Sequence, residues 1–220
     1  MHRYTNRMIR YAITDGTRFR GGGGGEFAAR RDGLLEDARR WANAGVEFVQ
    51  LREKDLAAGE LVELAKAMVR IFRESGGTAK LLVNGSLDVV REAGADGVHL
   101  AGARMSGAAM LAEKDAVARA RELLGRDAVV SVSCHSVEEV RRARGADLIL
   151  FGPVFEKRVA GEVVVEGVGI GVLREACAAA GGAKVLALGG VHAGNAPDCV
   201  RVGAAGVAAI RMFQAAGDPE

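Results

Sequence analysis

Cysteine, proline and aromatic residues are all scarce in this chain of 220 residues. The three cysteines, Cys134, Cys177 and Cys199, lack metal-ligand spacing. An odd number without a secretion signal favours reduced thiols over a disulfide framework. No apolar run reaches the roughly 18 residues that a membrane helix needs. The basic start, Met1 to Arg10, has no apolar segment of the kind a signal peptide carries. A net charge of +2 lacks the strong electrostatic pull of a nucleic-acid or membrane-surface binder. Aromatics at 5%, beside abundant Ala, Gly and Arg, read as genome composition rather than function. What remains, 49% hydrophobic and 26% charged, is an ordinary soluble composition with enough chain for one domain and a substantial core. The expected location is cytoplasmic, with neither nucleic acid nor membrane as partner.

Short β-type runs alternate with longer helical patterns almost to the end. Eight candidate strands stand out: Arg10–Thr14, Phe48–Arg52, Leu81–Asn84, Gly97–Leu100, Val129–Ser133, Leu148–Phe151, Val185–Leu188 and Gly206–Ile210. Between them lie segments with apolar residues at helical spacing, such as Leu61, Leu64, Ala65 and Met68, or Val137, Val140 and Ala143. Strands separated by helices imply right-handed βαβ units and a parallel sheet. A sub-pattern recurs before several strands: Ala44-Gly45-Val46, Ala93-Gly94-Ala95-Asp96-Gly97, Arg144-Gly145-Ala146-Asp147 and Val202-Gly203-Ala204-Ala205-Gly206. Each reads as a helix end with glycine, then a tight turn into a buried strand. The expected fold is α/β, a single (β/α)8 TIM barrel over residues 1–220 with 1–9 as an N-terminal extension. An open doubly wound sheet is the rival, and the eight-unit count favours closure.

Two connections are unusual. Gly21–Gly25 reads as a mobile loop at an active-site mouth, or as an ordinary loop without a role. Phe155–Glu166 is long and polar, a candidate lid or a disordered stretch.

Catalysis in a TIM barrel happens at the C-terminal ends of the strands, and the chemistry-bearing residues there are few. The second candidate strand runs into Gln50-Leu51-Arg52-Glu53-Lys54. Alternation sets Gln50, Arg52 and Lys54 on one side, and an amide with two cations suits an anion such as a diphosphate. The third ends at Asn84, whose amide can donate to a phosphate oxygen or a ring nitrogen. Asn84-Gly85 is equally a common turn pair. The fifth ends in Ser133-Cys134-His135-Ser136. His135 can act as a general acid or base, or it can merely precede a capping box made by Ser136 and Glu139. Cys134 reads as a packing residue and His99, inside the fourth strand, as a core histidine. Gly189-Gly190 after the seventh strand and Ala209-Ile210-Arg211 at the eighth occupy the usual place of a barrel phosphate site. Gly189-Gly190 also suits a plain tight turn.

These segments together resemble the thiamine phosphate synthases and the related thiazole tautomerases. The resemblance runs from Tyr11-Ala12-Ile13-Thr14-Asp15 to Val207–Phe213. It includes Gln50–Lys54, Leu82-Val83-Asn84, Ala93–Leu100, Ser133–Glu139, Gly152-Pro153-Val154-Phe155 and Gly189-Gly190-Val191 with Asn195-Ala196. The family's synthases join a hydroxymethylpyrimidine diphosphate to a thiazole phosphate, with magnesium helping diphosphate leave. The resemblance implies that Gln50, Arg52, Lys54 and Asn84 hold the pyrimidine diphosphate and that Ser133 sits near the pyrimidine. It implies that Gly167, Gly189, Gly190, Ile210 and Arg211 hold the thiazole phosphate. It makes a homo-oligomer plausible. His135 matches the acid–base histidine of the tautomerases, although synthases often carry a histidine there as well.

The departures matter as much. Gly85 and Arg104 stand where the family usually has two magnesium-binding aspartates, and neither supplies a side-chain oxygen. Glu156-Lys157-Arg158-Val159-Ala160 replaces a Thr-x-Thr-Lys loop, and Arg211 replaces a phosphate-binding serine. Arg104 is expected either to substitute for metal charge or to mark a diphosphate reaction that has been abandoned. Lys157 or Arg158 can stand in for the loop lysine. The expected function is therefore thiamine-biosynthetic work on a thiazole phosphate, tilted towards tautomerase-like acid–base chemistry. No cofactor is certain: magnesium is a possible one, although both of its expected aspartate ligands are missing. The alternatives are a synthase with a modified diphosphate site and a non-catalytic binder of phosphorylated small molecules.

Overall fold

Side chains alternate faces along a strand, and here the two faces have different chemistry. The computed structural model describes residues 8–19, 26–101, 109–159 and 162–214. Eight parallel strands close into a barrel: β1 (Ile9–Ile13), β2 (Phe48–Leu51), β3 (Lys80–Asn84), β4 (Gly97–Leu100), β5 (Val129–Cys134), β6 (Leu148–Phe151), β9 (Lys184–Leu188) and β10 (Gly206–Ala209). Neighbours in the barrel follow chain order, and β1 seals it against β10 with Ile9 opposite Gly206. The expected strands are recovered with ends shifted by one residue or less. Gly21–Gly25 and Arg104 lie outside the described residues.

The long connection after β6 carries secondary structure of its own among the described residues. It contains β7 (Lys157–Val159) and β8 (Glu162–Val165), an antiparallel hairpin. Val163, Val164 and Val165 on it are exposed.

Alternation explains the two cores. Tyr11, Ile13, Leu82, Leu148, Leu150, Leu186 and Ala208 fill the barrel interior. Their strand neighbours, among them Ala12, Val83, Ile149, Phe151 and Val207, face the helices. Cys134 is in that outer layer and fully buried, as expected of a packing residue. The helices are α1 (Glu26–Ala44), α2 (Ala58–Glu74), α3 (Leu87–Ala93), α4 (Ala109–Leu124), α5 (Val137–Arg142), α6 (Gly169–Ala179) and α7 (Ala196–Arg201). Helix α2 buries Leu64, Ala65 and Met68, the stripe that the spacing predicts. Helix α3 starts where the Ser86 hydroxyl accepts from the Val89 N–H at 3.3 Å and ends at Gly94, with φ of 64°. None of the helices among the described residues is long and apolar enough to cross a membrane.

The recurring pre-strand pattern does more than turn the chain. Glu47, Asp96 and Asp147 each precede a strand and clip the strand before it. The Asp96 N–H donates to the Leu81 carbonyl at 2.9 Å while its carboxylate accepts from the Leu81 N–H at 2.8 Å. Asp147 does the same to Val130, and Glu47 to Arg10. The fourth copy has Ala205, which makes the backbone bond to Val185 and carries no carboxylate.

Candidate active site at the C-terminal rim

The inward face of β1 to β5 turns from apolar to polar towards the C-terminal rim. Gln50 is buried in the interior, against its expected place on an open mouth. Its Oε1 accepts from the Tyr11 hydroxyl at 3.3 Å, and its Nε2 donates to Asn84 Oδ1 at 3.0 Å. The Asn84 amide nitrogen finds no acceptor among the described residues and remains a donor for a ligand. Asn84 is therefore more than a turn residue. Gly85 after it supplies the turn, with φ of 74° and its N–H on the His99 carbonyl at 2.8 Å.

His99 joins this network to β5. Its Nδ1 lies 2.9 Å from Ser131 Oγ and its Nε2 2.9 Å from Ser133 Oγ. Burial, with the Arg52 charge nearby, pushes the imidazole down to about 4, so the ring is neutral at physiological pH. A neutral ring carries one N–H, so it donates to one of the two serine hydroxyls and accepts from the other. Either way the Ser133 oxygen keeps a lone pair for a ligand's amino group. His99 is thus buried, as expected of a core histidine, but it also orients Ser133. Burial holds the Tyr11 phenol protonated by raising its pKa.

Arg52 is half-buried at the end of β2, and Lys54 is exposed beyond it. The Arg52 N–H donates to the buried Thr14 hydroxyl at 2.9 Å. His135 is exposed at the end of β5. Its Nδ1 donates to the Gly152 carbonyl at 2.6 Å, which leaves Nε2 as the acceptor. The capping box is altered: the Ser136 hydroxyl accepts from Glu139 N–H at 3.2 Å, but Glu139 reaches back to the His135 N–H at 2.5 Å. His135 is therefore held by the cap as well as preceding it.

Across the rim, Gly167, Gly189 and Gly190 meet the segment Pro153–Glu156. A Cβ at Gly167 would stand 2.5 Å from the Val154 carbonyl oxygen, and one at Gly190 would stand 2.7 Å from Phe155 Cβ. These glycines are required first by backbone packing. The loop after β9 is pinned by Asn195, which donates to the Gly190 carbonyl at 3.0 Å and accepts from His192 N–H at 2.8 Å. The N–H groups of Gly190 and Val191 find no acceptor among the described residues. Ile210 is half-buried and Arg211 exposed at the start of a short 3-10 turn after β10.

Sequence reading missed Tyr11, Ser131 and Thr14 as members of the site, together with Arg30, Glu53 and Asp55 behind it. Strand parity was the available signal for the first two: Tyr11 pairs with Ile13, and Ser131 with Ser133. Concavities of about 560 Å³ between α2 and α3, and about 380 Å³ at the N-terminal end of the barrel, are lined by none of the predicted site residues. The polar convergence at strand ends is the better guide to chemistry.

Comparison with known proteins shows the family. The profile of the family "Thiamine monophosphate synthase" matches residues 25–213. The chain belongs to the thiamine monophosphate synthase family. A relative from Geobacter sulfurreducens, provisionally named as a thiamine-phosphate synthase, is 41% identical over 214 residues, covering 95% of this chain and 88% of its own. The thiamine-phosphate synthase of Chromobacterium violaceum is 35% identical over 195 residues, covering 84% and 86%. The thiamine phosphate pyrophosphorylase from Pyrococcus furiosus superimposes with a TM-score of 0.71 at 26% identity, covering 97% of this chain and 90% of that one.

Proposed function

We propose that this family member is a thiamine phosphate synthase, joining hydroxymethylpyrimidine diphosphate to thiazole phosphate with release of diphosphate. The observation that carries the reading is the set of groups on adjacent strand ends: Gln50 bonded to Asn84, His99 bonded to Ser133, and Arg52 following β2 with its N–H on Thr14. A tautomerase handles one thiazole carboxylate phosphate, whereas a synthase must also hold a diphosphate, and the paired cations Arg52 and Lys54 suit that larger charge. The names of the relatives support the same choice, so the tilt towards tautomerase gives way to the synthase reading.

In this reaction the bond between the pyrimidine methylene and the diphosphate oxygen breaks, and its electron pair leaves with the diphosphate. The thiazole nitrogen's lone pair forms the new C–N bond. Ser133 accepts from the pyrimidine amino group and Asn84 donates to the ring or the diphosphate. The Gly190 and Val191 N–H groups hold the thiazole phosphate.

The family's magnesium site does not fit the residues present. Gly85 has no side chain, and among the described residues no three His, Cys, Asp or Glu side chains group to hold a metal ion. The charge of the leaving diphosphate falls to cations, Arg52 and Lys54, with Arg104 as a further candidate outside the described residues.

One observation favours the second reading. The His135 Nδ1 bond to Gly152 leaves Nε2 as a base suited to moving a proton on a thiazole.

The deciding experiment is turnover. Purified protein is mixed with hydroxymethylpyrimidine diphosphate and thiazole phosphate, with and without magnesium, and thiamine phosphate is read as its fluorescent oxidised form. Product above the no-enzyme control, with weak dependence on magnesium, is expected. Absence of product from protein that binds thiazole phosphate returns the choice to tautomerase or binder. Gly85→Asp supplies the missing carboxylate at a position where a Cβ meets nothing within 4 Å. Aspartate tolerates the left-handed backbone there better than most residues, and the variant is expected to gain magnesium dependence.

A further inference from the structure

Glu53 follows Arg52 directly, and its side chain turns the opposite way, towards α1. It is dry, with its side chain 1% exposed. Its two carboxylate oxygens each accept from the Gly16 N–H at 3.1 Å. One also accepts from Arg30 Nε at 3.0 Å and from Arg30 Nη2. Arg30, on α1, is 3% exposed and grips Asp55 with its fork: Nη1 to Oδ2 at 2.9 Å and Nη2 to Oδ1 at 2.6 Å. The bond to Asp55, then the nearby Glu53, raises the Arg30 pKa above the ordinary arginine value. Gly16 is tied into the same knot. A Cβ there would stand 2.5 Å from Arg30 Nε and 2.8 Å from Glu53 Oε2.

The segment after β2 is therefore held on alternate residues. Glu53 and Asp55 are taken by Arg30, and Arg52 and Lys54 are left for the rim. The Arg52 backbone is fixed from the other side by Thr14. Stability alone is a poor account of this cluster, because a buried ion pair gains little over well-packed apolar side chains.

We propose that Arg30, Glu53 and Asp55 are positioning residues that hold Arg52 and Lys54 in place for a diphosphate group. The proposal rests on the reading of the rim as a diphosphate site. The charge makes it sharp. Two carboxylates stand behind an anion site against one guanidinium. If they acted only through their field, neutralising one would tighten diphosphate binding. If they act by positioning, neutralising one loosens it.

The test is calorimetric titration with inorganic diphosphate and, separately, with thiazole phosphate. In Glu53→Gln the diphosphate Kd is expected to rise about tenfold, the loss of roughly one charge-assisted hydrogen bond's worth of order, with the thiazole phosphate Kd unchanged. Asp55→Asn changes a carboxylate whose side chain is 45% exposed and keeps the Arg30–Glu53 pair, so it carries the test where Glu53→Gln does not fold. Its diphosphate Kd is expected to rise about threefold, the smaller effect of a more exposed bond. In turnover, the KM for the pyrimidine diphosphate rises and the KM for thiazole phosphate does not. A diphosphate Kd that is unchanged or tighter in folded variants overturns the proposal. So does an equal loosening of both ligands, which marks a general disturbance. A wild-type protein that binds thiazole phosphate but no diphosphate sinks the diphosphate site itself, an outcome distinct from a failed clamp.

Discussion

His99 is the residue whose chemistry the fold changes most. The unfolded chain takes up a proton on this ring near 6.5, whereas the folded ring does so only near 4. Between those values the unfolded state binds more protons, so stability falls as pH drops through that window. The interval corresponds to roughly 3 kcal/mol, present in full above about pH 6.5. Thermal unfolding from pH 7 to pH 4 should therefore fall less steeply in His99→Gln than in wild type. Parallel slopes would show that His99 is not buried and neutral. The residues that sequence could name, Gln50, Arg52, Asn84, Ser133 and His135, are polar groups at the ends of apolar runs. That position marks them whatever their partners. Their partners were hidden because they depend on neighbouring strands: Tyr11 reaches Gln50 across 39 residues and Ser131 reaches His99 across 32.

At the scale of elements, the acid that precedes a strand is a device used three times and omitted once. Asp96→Ala removes the acceptor of the Leu81 N–H and of Arg73, which bonds it at 2.8 Å. Leaving a partly buried N–H unpaired should cost about 1–3 kcal/mol, with Asp96→Asn nearer wild type because its Oδ1 still accepts. Ala205→Asp adds the missing carboxylate opposite Val185 and should stabilise by up to about 1 kcal/mol. Urea unfolding of the three variants measures both effects, and an unstable Ala205→Asp would show that the fourth turn has no room for the clip. The glycine-then-acid spacing is visible in the sequence, but by itself it indicates only a turn. The carboxylate's partner is on the previous strand, out of reach of local pattern. The β7–β8 hairpin was missed for a similar reason: β7 spans three residues and β8 four, too short for alternation to register.

For the molecule as a whole, eight apolar runs between amphipathic helices made the barrel legible, because each βα unit repeats one right-handed step and eight such steps close. What pattern could not supply is the seal between the chain's ends. Trp41 on α1 is buried, and its indole N–H donates to the Phe213 carbonyl at 2.7 Å, across 172 residues. It is the chain's single tryptophan. Its fluorescence therefore reports on closure, while far-UV circular dichroism reports on all helices and strands together. If the barrel unfolds as one cooperative unit, the two signals share one urea midpoint. If it comes apart as separable halves, closure is lost first and the Trp41 midpoint lies below the dichroism midpoint. The continuous ring of strand pairing, with β1 bonded to both β2 and β10, leaves no weak seam at which halves would part, so coincident midpoints are expected.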